Sequence, residues 1–106
     1  MTTVKLSNNR EIEVDQEGFI TNPQLWTEEI ALEFARLEGI NELTAQHWAV
    51  IKYIRTYYLE NNLAPMVRKI CKTTNLQLKK IYELFPAGPA KGACKWAGLP
   101  KPDGCV

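Results

Sequence analysis

The sequence predicts an α+β fold: a small, mainly helical bundle of about five helices, with an N-terminal β-hairpin and a flexible C-terminal arm. Three observations carry that expectation. Apolar and polar residues alternate over 2–6 and 11–14, the period of a half-buried strand. From Thr27 to Ala97 the apolar residues recur at helical spacing, interrupted by capping and turn residues. Beyond Gly98 the chain runs Leu-Pro-Lys-Pro-Asp-Gly-Cys-Val, and its prolines forbid further helix. At 106 residues the whole chain, 1–106, is expected to be one domain with 98–106 as its mobile arm.

The hairpin would turn at Ser7-Asn8-Asn9-Arg10. Its register is open. Asn8-Asn9 suits a two-residue turn, whereas matching Leu6 with Ile12 and Val4 with Val14 requires a loop of odd length. Asp15 to Gly18 reads as a second turn. The first helix begins at Thr27, with Trp26, Ile30, Phe34 and Leu37 in one stripe, Glu28 and Glu29 in its first turn and Gly39 as its stop. Thr44 can cap a longer, central helix to about Asn61, whose wide apolar face includes Trp48, Val50, Ile51, Ile54, Tyr57 and Tyr58. Pro65 fits the first position of a third helix with Met66, Val67, Ile70 and Cys71 facing inward. Thr73-Thr74-Asn75 breaks it, and a fourth helix from about Leu76 would bury Leu78, Ile81, Tyr82 and Phe85. Pro86-Ala87-Gly88 ends that helix, Pro89 opens a short fifth one through Ala97, and Gly98 is its cap.

Composition narrows the function classes. No stretch approaches the roughly 18 apolar residues of a membrane span. The first residues lack the apolar core of a signal peptide, so the expected location is cytoplasmic, where thiols stay reduced and a cysteine pair suggests chemistry rather than a staple. His47 is the single histidine and the cysteines are not closely paired, which argues against a metal site. No glycine-rich phosphate loop, nucleophile elbow or metalloprotease helix occurs. Charge is lopsided: residues 1–62 carry −5 and residues 63–106 carry +6. A basic second half suits an anionic partner, whether nucleic acid, an acidic protein face or an oxyanion, although a solvated surface would look the same.

The cysteines carry the reactive chemistry. Cys105 lies one residue from the end of the sequence, reached through Pro100, Pro102 and Gly104, a placement that suits a thiol entering another protein's cavity. Asp103 and the terminal carboxylate disfavour its thiolate and Lys101 favours it, so activation would have to come from the body or the partner. Cys94, between Lys91 and Lys95 and near Trp96, could receive the arm, since the ten intervening residues cost only modest closure entropy. A direct disulfide needs α-carbons within about 7 Å, and an extra bridging sulfur relaxes that limit. The competing reading of Cys94 is a small buried hydrophobe. Cys71, on the inward stripe, reads as a core thiol. Residues 64–85 form a helix-turn-helix-like pair with Gln77, Lys79 and Lys80 outward, which keeps DNA binding as a lesser alternative.

Leu84-Phe85-Pro86-Ala87-Gly88-Pro89-Ala90-Lys91-Gly92-Ala93-Cys94, followed by Ala97-Gly98-Leu99-Pro100-Lys101-Pro102-Asp103-Gly104-Cys105-Val106, resembles the C-terminal signature of the DsrC/TusE family. Val14-Asp15, Glu17-Gly18-Phe19, Gln46-His47-Trp48 and Ala64-Pro65-Met66-Val67-Arg68 extend the likeness over nearly the whole chain. The resemblance implies a sulfur carrier rather than a stand-alone enzyme, needing no bound cofactor. TusE-like members relay sulfur for tRNA 2-thiouridine, with help from sulfurtransferases, and lack a cysteine at the position of Cys94. DsrC-like members have both cysteines, as here, and partner the siroheme enzyme dissimilatory sulfite reductase as its gamma subunit. By that resemblance Cys105 would capture sulfur and Cys94 would close a trisulfide, to be reduced by a membrane electron-transfer complex. Arg68, Lys91 and Lys101 would dock the arm and steer anionic sulfur. The short connection Thr73-Thr74-Asn75-Leu76-Gln77 leans toward a reductive pathway, and a monomer is expected.

Overall fold

A computed structural model of the chain describes residues 2–5, 11–16 and 18–99. Strands β1 (Thr2–Lys5) and β2 (Glu11–Val14) form an antiparallel hairpin. Val4 faces Ile12 and Thr2 faces Val14, so like faces pair, two residues away from the match of Leu6 with Ile12. Leu6 and the expected turn 7–10 lie outside the described residues. Burial explains the choice, because Ile12 and Val14 turn together into the core. The turn after β2 forms as expected: Gly18 N–H donates to Asp15 O, and Asp15 Oδ1 accepts from Phe19 N–H.

A 3-10 turn (Pro23–Leu25) leads into α1 (Glu28–Leu37), where Thr27 caps the N-terminus through its hydroxyl. The buried face of α1 is Ile30, Ala31, Phe34 and Ala35. Leu37 is exposed, correcting the expected stripe, because the small Ala31 and Ala35 let the helix approach the core closely and turn Leu37 to its rim. Helix α2 (Ala45–Asn61) runs as expected and ends at Asn62 in the left-handed conformation. Its buried residues are His47, Val50, Ile51 and Ile54, and it packs against α3 (Val67–Thr74) and the terminal helix.

Pro65 does not open α3. It is buried in the preceding segment, and Met66 is the extended cap residue with its side chain 60% exposed rather than inward. Helix α4 (Leu78–Leu84) has only two turns. Its core face is Ile81 and Leu84, with Phe85 just beyond, so Leu78 and Tyr82 are exposed where burial was expected. Leu78 is the first residue of this seven-residue helix, a turn ahead of the buried Ile81. The last helix is wound as a π-helix over Pro89–Cys94 and continues helically through Lys95 and Trp96. Such widened turns often mark functional segments. Among the described residues, no helix is long and apolar enough to cross a membrane.

Candidate functional site

Cys94 ends the π-helix and is completely buried, 0% exposed, among the core residues Ala93, Trp96, Ala97 and Leu99. Burial disfavours the charged thiolate and pushes the Cys94 thiol up to about 12. In this state it is a protected thiol, not a poised nucleophile. Cys71 is half-buried against the same core.

The segment holding Cys94 is fixed from several elements. Trp96 is fully buried, tilted against Phe85 at 5.0 Å and stacked on His47 at 6.2 Å between ring centroids. Its indole N–H donates to the Glu38 carboxylate. His47 occupies the third position of α2 and has two tasks. Its Nδ1 accepts from the Thr44 N–H at 3.0 Å, closing a capping box, so the ring proton is on Nε2, which donates to Leu84 O at 2.8 Å. Burial lowers the His47 pKa and Lys80 adds to that, against the opposing bond to Leu84. His47 therefore ties the start of α2 to the end of α4 as a neutral ring.

Gly98 turns the chain out of the helix at φ +76°, and a Cβ there would overlap the Trp26 ring. Trp26 Nε1 donates to Trp96 O at 2.7 Å. Arg55 of α2 forks across the opening: one Nη donates to Ala97 O at 3.0 Å and the other to Pro23 O at 2.7 Å, with the guanidinium 4.4 Å from the Trp26 ring centroid. Burial lowers the Arg55 pKa, opposed by Tyr58, yet a guanidinium remains charged. Trp26, Glu38 and Arg55 were not among the sequence candidates. The available signal was Arg55 itself, a cation four residues from Ile51 and beside Ile54 on an otherwise apolar helix face.

Arg68 is exposed on α3 and lines a cavity of about 320 Å³ with Met66, Lys69 and Lys72. Lys91 falls within the π-helix, while Lys101 and Cys105 lie outside the described residues. Of the arm expected over 98–106, Gly98 and Leu99 are described, and both are buried. In the helix-turn-helix-like pair, α3 ends at Asn75 in the left-handed conformation, Lys79 is exposed, and Lys80 pairs with Glu83 at 3.8 Å.

A profile of the family described as "DsrC like protein" matches residues 6–106. The chain is 46% identical over 97 residues to the dissimilatory-type sulfite reductase subunit gamma of Nitratidesulfovibrio vulgaris, covering 92% of each chain. It is 41% identical over 104 residues to the sulfurtransferase TusE of Salmonella paratyphi A, covering 92% of this chain and 94% of the relative. Among solved structures, a chain of dissimilatory sulfite reductase I superposes with a TM-score of 0.90 at 46% identity, covering 99% of this chain and all of the other. With that agreement of sequence and fold over almost its full length, the chain belongs to the DsrC family.

Proposed function

We propose that this chain is a sulfur carrier of dissimilatory sulfur metabolism, in which Cys105 accepts sulfur from sulfite reductase and Cys94 closes the bridge. The observation that carries this reading is the placement of Cys94: a sequestered thiol one turn before the chain leaves its last helix, with ten residues between it and Cys105. A carrier needs one thiol that reaches out and one that stays protected until the cargo returns. The Nitratidesulfovibrio relative, named as a sulfite reductase subunit, supports that reductase as the partner.

The chemistry balances without a cofactor on this chain. Two thiols condense with a partly reduced sulfur, formally S(OH)2, to give Cys94–S–S–S–Cys105 and two waters. The captured sulfur is reduced to the zero-valent level and the two thiols are oxidised. Thiolate attack on sulfur is ordinary exchange chemistry. Two electrons and two protons delivered by a membrane electron-transfer complex would then cleave the bridge to a thiol and a persulfide, and two more would release sulfide. Charged groups at Arg68, Lys91 and Lys101 serve docking and steering. Cys105→Ala should abolish sulfur loading, and Cys94→Ala should leave the sulfur on Cys105 without an internal bridge, as an –S–S–OH adduct that two electrons and two protons from the reductase's electron donor convert to a persulfide and water. Sulfur uptake by Cys105→Ala would remove the assignment.

The likeness to TusE supports a second reading, a relay of sulfur for tRNA thiolation. In a relay Cys105 alone suffices, so transfer to a sulfur acceptor should survive Cys94→Ala. DNA binding by α3 and α4 is the third: it requires a salt-sensitive duplex complex that weakens when Lys79 and Lys80 are neutralised.

A further inference from the structure

Bridge formation, on the carrier reading above, requires a thiol that is 0% exposed to meet an arm attached one turn away. What holds that turn shut is visible in its carbonyls. The last C=O groups of a helix have no partner inside it. Here Cys94 O accepts from Leu99 N–H and Lys95 O from Gly98 N–H, both within the terminal segment itself. The next two are held from outside: Trp96 O by Trp26 Nε1 and Ala97 O by Arg55. Trp26 and Arg55 stack on each other, and Arg55 also grips Pro23 O in the turn that carries Trp26. The two side chains thus act as one unit clamping residues 96–97 to the 3-10 turn.

Position decides which part opens first. Trp96 is pinned in the aromatic cluster with His47 and Phe85, which anchors the helix up to that residue; Ala97 and Leu99 beyond it are buried as well, so releasing them uncovers apolar surface. Trp26 and Arg55 are half-buried at the rim, where water can replace their bonds. We propose that Arg55 and Trp26 form a latch on the last turn of the Cys94 helix, and that its release is the step that exposes Cys94 to the sulfur-bearing arm. Peeling Ala97, Gly98 and Leu99 away frees the Cys94 carbonyl together with its thiol, while α1 to α4 keep their packing. Arg55 and Trp26 are positioning residues: they act through the backbone of the helix end, not on sulfur.

The test labels the full chain with N-ethylmaleimide and follows Cys71, Cys94 and Cys105 separately by peptide mass, in native buffer and in urea below the unfolding transition. Arg55→Gln removes the charged fork, Arg55→Lys keeps the charge but not the fork, and Trp26→Phe keeps a ring but not the N–H donor. Loss of a charged hydrogen bond should raise Cys94 labelling about tenfold or more in Arg55→Gln, with Arg55→Lys between it and the parent. Trp26→Phe should raise it as well. Cys71 labelling should stay at its parent rate, and the Cys94 rate should depend little on urea, as local opening does. Unchanged Cys94 labelling in all three variants would overturn the latch. So would a rise shared with Cys71 and carrying the urea dependence of global unfolding, which marks an ordinary stabilising contact. The readout requires no sulfur transfer, so a carrier reading that failed on sulfur loading would leave this result interpretable by itself.

Discussion

Cys94 and His47 are buried ionisable groups held in their neutral forms, and they limit stability from opposite sides of the pH scale. The His47 pKa is lowered, so the unfolded state binds the extra proton and stability falls as the pH drops below about 6.5. The Cys94 pKa is raised to about 12, so its contribution is intact below the unfolded thiol value of about 8.5 and is lost as the pH rises above it. Urea unfolding should therefore show greatest stability between those limits. Each limb has a slope of at most about 1.4 kcal/mol per pH unit. His47→Gln, whose amide can still accept from Thr44 and donate to Leu84, should flatten the acid limb alone, and Cys94→Ala the alkaline limb alone. Glycines give a second contrast. Gly98→Ala combines a positive φ with overlap on Trp26 and should cost about 3 kcal/mol, against about 1 kcal/mol for Gly39→Ala, where φ is +90° in open space. Both glycines were legible as caps in the sequence because capping is local. The roles of Trp26 and Arg55 were not, because they arise from contacts 70 and 42 residues apart.

Helix α2 organises the molecule: one face meets α3 and the terminal helix, and Arg55 extends from it to the helix end. Ile51→Ala or Ile54→Ala, at fully buried positions, should each cost about 2–5 kcal/mol, whereas exposed Leu59→Ala should fall within about 0.5 kcal/mol of the parent in denaturant unfolding. The boundaries of α1 and α2 were readable because Thr27 and Thr44 each bond the backbone three residues on. Pro65 misled because proline suits both a first helical turn and the extended segment before a cap, and only packing separates the two. Leu78 and Tyr82 misled for a related reason: in a seven-residue helix the spacing of four apolar residues does not say which two face inward. The hairpin register likewise needed the core, since only the burial of Ile12 and Val14 selects the partners of β2.

Charge separates the molecule along its sequence, −5 over residues 1–62 and +6 over 63–106, and the basic half includes both Cys94 and Cys105. A carrier steered by that field should associate with its reductase more slowly as ionic strength rises, with little change in dissociation. Reversing Arg68, Lys91 and Lys101 together should slow association about tenfold or more at low salt and much less at high salt. Equal rates in parent and variant at both ionic strengths would remove the steering role. The two-cysteine cycle is tested by the intact mass of the reduced chain before and after incubation with sulfite reductase, sulfite and an electron donor. The expected result is a gain of one sulfur atom with the loss of two hydrogens, mapped to a peptide joining Cys94 and Cys105. An unchanged mass alongside an active reductase would contradict it.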